Sequence, residues 1–155
     1  MNSMYASNTL QDLLSAFSRW ALGIAFLSAV ADRFGLWGVY GTKHVAWGDF
    51  ARFINYTHFL TSVFPYSVSV VLAWTATAAE ITFGILLLVG FRVRMTAFLS
   101  GTLLFLFGFS MTIASGVKAP LDASVFSAAA AAWLLSCRKP DRFAVDSLTN
   151  HRKAV

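Results

Sequence analysis

The stretch Val68–Val89, VSVVLAWTATAAEITFGILLLV, decides the fold. Its 22 residues, at about 1.5 Å each, make a helix long enough to cross a hydrocarbon core of about 30 Å. Its one charge is Glu80, close to the middle, and no other acidic residue lies between Pro65 and Pro120. A carboxylate at that depth costs roughly 2.5–3.5 kcal/mol on insertion scales. A partner, a proton or a chemical role has to account for it. Ala73, Thr77, Glu80, Gly84 and Leu87 recur at three- and four-residue spacing and so share one face. The small residues on that face suit close packing, so the spacing predicts that Glu80 points at a neighbouring helix. Ile81, Phe83 and Leu88 fall elsewhere and are expected to face lipid.

Three further apolar segments flank this one. The first covers residues 13–31, with Arg19 near its start, the third residues 95–114, and the fourth residues 121–137 with Ala128–Ala132. A lipid-exposed open strand leaves its backbone unsatisfied, so all four are expected to be helices. The fold class is thus all-α, a four-helix integral membrane bundle in a single domain of 155 residues. Composition agrees: 57% of residues are hydrophobic and only 12% charged, far below the globular norm of about 25% charged. Ser100, Gly101, Gly108 and Thr112 supply small positions for close packing of the third helix.

Between the first two helices, Asp32 to Tyr66 is rich in aromatic residues. From Trp47 onward Phe50, Phe53, Ile54 and Leu60 show helical spacing, and Asp49 suits the N-cap. A short amphipathic helix is expected, lying in the headgroup region or over the bundle; the sharper alternative is a lid over a cavity. Four spans put both termini on one side, which collects Arg19, Arg92, Arg94, Arg138, Lys139, Arg142, Arg152 and Lys153. The other side holds Arg33, Lys43, Arg52 and Lys118. That asymmetry predicts cytoplasmic termini, residues 138–155 forming a basic cytoplasmic tail. Ala29-Val30-Ala31 has the small residues of a signal-peptide cleavage site, but Asp12 and the lack of a basic leader favour a retained helix.

The formal charge of +5 is explained by this topology, so no nucleic-acid partner is expected. Cys137 is the only cysteine, which excludes thiol–disulfide chemistry within the chain. His44, His58 and His151 all lie outside the spans, so a haem held between transmembrane histidines is excluded and no metal site is expected. No phosphate-binding loop or nucleophile elbow is present. Glu80 is left as the candidate catalytic residue. Arg19, or a hydroxyl of Ser100, Thr102, Ser110 or Thr112, is its expected partner. A second polar cluster, Lys118-Ala119-Pro120-Leu121-Asp122, enters the fourth helix, where Asp122 or Ser124 suits the cap. With Asp32, Arg33, Asp49, Arg52 and His58 it makes an outer rim suited to an anionic or quinone-like headgroup. Arg19, Trp47, Lys118 and Asp122 are the candidate ligand-binding residues.

Four short helices, an arginine opening the first and Trp47-Gly48-Asp49-Phe50 resemble the DoxX family of bacterial membrane proteins. So do Ala78-Ala79-Glu80 with Gly84, Leu86–Arg92, and Gly116–Phe126, the resemblance covering roughly residues 15–137. It implies a multi-pass protein of the bacterial inner membrane, associated with sulfur or oxidative-stress metabolism. It also implies a subunit of a quinone-linked oxidoreductase complex rather than a self-sufficient enzyme, with quinone as a noncovalent cofactor and a protein partner or second copy beside it. Glu80 would then handle protons or bind the quinone, since reduction of a quinone consumes protons that a buried acid can relay. The alternatives are a non-enzymatic scaffold with a structural Glu80 and, less favoured, a small-solute transporter. Four short helices enclose little volume for transport, and no inverted repeat is evident.

Overall fold

The structure, a computed structural model, describes residues 2–151. All regular structure among them is helical: α1 (Asn2–Arg33), α2 (Phe50–Leu60), α3 (Tyr66–Val89), α4 (Val93–Ser115), α5 (Lys118–Asp122), α6 (Val125–Ser136) and α7 (Val145–His151). Three are long and apolar enough to cross a bilayer: Thr9–Arg33 of α1, α3 and α4. The expected fourth span, residues 121–137, is instead two pieces. The chain turns at Ser124, whose φ of 53° is left-handed, and α6 begins afresh after it. The 12 residues of α6 reach only about 18 Å, so crossing a hydrocarbon core would take α5 and α6 together.

α1 also outruns its expected end at residue 31. Ala16, Arg19, Leu22, Phe26, Val30 and Arg33 are all buried and recur every three or four residues, which places them on one stripe facing the other helices. The apolar part of that stripe meets α3 through glycines. A Cβ on Gly23 would lie 2.9 Å from the Gly84 carbonyl oxygen and 3.0 Å from Leu88 Cγ. Gly23→Ala is accordingly expected to push α1 and α3 apart at a cost of about 1–3 kcal/mol, read as a lowered unfolding midpoint in detergent. An unchanged midpoint would mean the helices are not held at this distance. α4 and α6 use the same device, with Gly101 against Trp133 and Ala129, and Gly108 against Phe126.

Antiparallel packing of α1 on α3 fixes the level of every polar group between them. With Gly23 opposite Gly84 and Leu88, Arg33 arrives at the level of Thr77. α3 continues another 11 residues to Tyr66, about 16 Å past the end of α1. α2 fills that space. Its N-terminus is capped by Asp49, whose carboxylate accepts from Arg52 N at 2.9 Å, as the spacing predicts. Phe50 then packs against Trp74 of α3, the two rings tilted and their centroids 4.2 Å apart. α2 thus packs over the step left by α1, one of the two placements expected for a short amphipathic helix.

The opposite end carries Arg92, Arg94, Arg138, Lys139 and Arg142 and is closed by the C-terminal segment. The basic tail expected from residue 138 onward is folded onto the bundle at least through Asp146. Asp141 and Ala144 are buried, and Ala144 joins a core of Leu22, Phe26, Leu87, Val93, Ala97, Ala132 and Leu135. Arg152 and Lys153 lie outside the described residues.

Candidate functional site

Glu80 is buried and its partner is Arg33. Arg33 Nη2 sits 2.8 Å from Oε1 and 2.7 Å from Oε2 of Glu80. Only the first contact has hydrogen-bond geometry, so Oε2 is in ionic contact while its lone pairs stay unspent. Arg33 Nη1 donates to Thr77 Oγ1 at 2.8 Å, and that hydroxyl donates to the Ala73 carbonyl at 2.8 Å. Arg33 Nε makes no hydrogen bond. Above the pair, the Phe53 ring of α2 stacks on the guanidinium, with Cζ 3.7 Å from the ring centroid. A cation held this way is neutralised from one side by a carboxylate and from another by a π face.

The roof over the pair is aromatic. Phe34 stacks on Phe50 at 5.3 Å, and Trp47 packs on Phe53 at 5.6 Å and on Tyr56 at 4.7 Å. Burial pushes the Tyr56 phenol above its ordinary pKa. Next to this roof, Ser69 on the polar face of α3 meets Thr61 Oγ1 at 2.9 Å and His58 Nδ1 at 3.1 Å. These contacts tie the far end of α2 to α3.

The face Ala73, Thr77, Glu80, Gly84 and Leu87 is buried throughout, as its spacing predicts, and Ser69 extends it by one further step. The partner of Glu80 is a correction. Arg19 is nowhere near it, because Arg19 belongs to the opposite end of the molecule. It is fully buried there, donating to the carbonyls of Leu87 and Leu88 at 2.5 and 2.7 Å and facing Asp141 with Nε 3.2 Å from Oδ2. Ser100 is buried with its hydroxyl unbonded, while Thr102 and Thr112 donate to their own helix, at Phe98 and Gly108. Trp47 belongs to the aromatic roof. Lys118 and Asp122 are exposed and paired with each other one turn apart on α5. Neither Asp122 nor Ser124 caps α6 through its side chain, because the left-handed turn at Ser124 starts that helix instead. They form no part of the Glu80 site.

Arg33 and Phe53 are what the sequence reading missed. Arg33 and its neighbour Asp32 look in sequence like the polar boundary of a span and part of an outer rim, yet both are buried. The signal was the helical phase. Phe26, Val30 and Arg33 continue the buried stripe, so the arginine had to face inward if the helix did not stop.

Among the described residues, no group of histidine, cysteine, aspartate or glutamate is placed to hold a metal ion. No family model, curated protein or solved structure matches the chain.

Proposed function

We propose that this chain is a four-span integral membrane protein of the DoxX type, serving as the membrane subunit of a quinone-linked redox complex. The Arg33–Glu80 pair is its quinone- and proton-handling site. Three long apolar helices and the broken α5–α6 unit supply the four crossings. The end bearing Arg92, Arg94, Arg138, Lys139 and Arg142 faces the cytoplasm of the inner membrane, as basic residues in short loops do.

The observation that carries the proposal is the unspent hydrogen-bonding capacity of a buried ion pair. Arg33 Nε is a donor with no acceptor, and Glu80 Oε2 is held only by ionic contact with Arg33 Nη2, beneath a roof of flat aromatic rings. A quinone headgroup is a flat ring whose oxygens accept hydrogen bonds when oxidised and donate them when reduced. Arg33 fits the first state and Glu80 the second. The cofactor would carry the electrons, and the chain would orient it and move protons.

The test is extraction of quinone from protein purified in mild detergent, together with Glu80→Gln, which keeps the shape and removes the exchangeable carboxylate. Wild type is expected to retain quinone, and Glu80→Gln to lower activity of the assembled complex by about 10²–10⁴-fold, the usual contribution of a positioned proton-transfer group. No quinone in the extract, with unchanged activity in Glu80→Gln, rules this role out.

A scaffold role is the second reading, favoured by the direct contact of Arg33 with Glu80, which already compensates the buried charges. It predicts that loss of the pair dissolves the complex without any loss of bound quinone.

A further inference from the structure

A groove of about 770 Å³ runs along the flank of α1 beside the 34–49 loop. Ala25, Ser28 and Ala29 of α1 line it together with Trp37 and Trp47, and Asp32, Lys43 and His44 supply its charged and polar side chains. Two of its lining residues, Asp32 and Trp47, belong to the polar rim and ligand-binding set expected from the sequence, and neither Arg33 nor Glu80 lines it.

The groove is built rather than incidental. Trp37 Nε1 donates to the Ser28 carbonyl at 3.1 Å and fixes one wall to α1. Asp32 Oδ2 accepts from Ala46 N at 3.1 Å and Trp47 N at 2.9 Å, which fixes the other. His44 is held at a φ of 71°, a left-handed conformation that costs energy for a residue with a Cβ. The remaining Asp32 oxygen, Oδ1, has no hydrogen-bond partner, although Asp32 is only 7% exposed. A buried carboxylate oxygen left unpaired is costly unless a ligand supplies the missing donor. Lys43 and His44, in contrast, are exposed donors in the same lining. The lining therefore combines a buried carboxylate with one unpaired oxygen, two exposed donors, and apolar surface that includes two tryptophans.

We propose that this groove holds a phospholipid whose head carries both a primary ammonium and a phosphate. The ammonium donates to Asp32, the phosphate accepts from Lys43 and His44, and an acyl chain lies along Ala25 and Ala29. Tryptophans at the groove walls suit the headgroup boundary, where such a lipid places its polar atoms. A quaternary ammonium has no N–H to give Asp32, and a glycerol head carries no cation for it. The site therefore discriminates phosphatidylethanolamine from phosphatidylcholine and phosphatidylglycerol.

Native mass spectrometry of the full chain, released from mild detergent after exposure to these three lipids, reads the preference directly. Phosphatidylethanolamine is expected to be retained about tenfold over each of the others, the size of one charge-assisted hydrogen bond. Asp32→Asn can still accept from Ala46 N and Trp47 N through its amide oxygen, but it turns an NH₂ toward the ammonium. It is expected to abolish the preference. Lys43→Gln with His44→Asn changes only exposed side chains, and asparagine tolerates the left-handed turn. This pair is expected to weaken retention of all three lipids, and it decides the matter if Asp32→Asn does not fold. Equal retention of the three lipids by wild type overturns the proposal, as does a preference for phosphatidylglycerol. So does unchanged retention in the Lys43/His44 variant.

Discussion

Arg33→Leu is expected to destabilise the protein by about 3–5 kcal/mol, because it leaves Glu80 buried with no cation. Thr77 loses its donor at the same time, and Phe53 loses the guanidinium beneath its ring. Glu80→Gln keeps an amide oxygen that accepts from Arg33 Nη2 but strands a buried guanidinium without its anion, so it is expected to cost a comparable amount. The informative protein is the double variant Arg33→Leu with Glu80→Leu. Replacing both members of a buried pair by apolar groups of similar volume is often neutral, so it should recover most of the stability lost by Arg33→Leu. Unfolding midpoints in detergent for Arg33→Leu, Glu80→Leu and the double variant give the coupling energy. Simple additivity would mean that the pair does not interact energetically. The double variant also separates the two functional readings. A folded, assembled complex that has lost its quinone supports the ligand site, and an intact quinone content in a dissociated complex supports the scaffold.

What could be read from the chain follows from where the information lies. The face of α3 is written in local spacing, and all five of its predicted members are buried. Asp49 caps α2 because a cap is decided within four residues. The partner of Glu80 could not be read so directly, since Arg33 lies 47 positions away and pairing depends on the register of α1 against α3. That register is set by Gly23 and Gly84, whose missing side chains signal close approach without naming the neighbour. Composition pointed the wrong way twice. Asp32-Arg33 has the polarity of a membrane boundary, but Arg33 lies in phase with the buried stripe and Asp32 is buried against the loop at Ala46 and Trp47. The break at Ser124 sits in a run apolar enough to pass for one continuous helix.

The C-terminal segment was the least legible part, and its removal is expected to have the second large effect. Its polarity and Pro140 suggest a chain leaving the bundle, yet it supplies what two helices lack. α3 ends at Gly90, and Arg19 takes up the free carbonyls of Leu87 and Leu88, which favour a cation at a helix C-terminus. That arginine needs a counter-ion, and Asp141 is the one it has, at 0% exposure on both side chains. α4 begins with no cap of its own, and Asp146 provides one, accepting from Arg92 N and Val93 N at 2.8 Å each. Asp141→Ala therefore strands a fully buried guanidinium and is expected to cost about 3–5 kcal/mol. Asp146→Ala removes a helix cap at the molecular surface and is expected to cost about 0.5–2 kcal/mol. Asp141→Glu must fit one extra methylene into a closed site, so it should fall between wild type and Asp141→Ala. The order of unfolding midpoints, wild type above Asp146→Ala above Asp141→Ala, is the check. Stopping the chain after Arg138 should do at least as much damage as Asp141→Ala, because Ala144 then leaves the core as well. A truncated chain that melts with wild type would show that Arg19 finds another anion, and the C-terminal segment would then be dispensable to the fold.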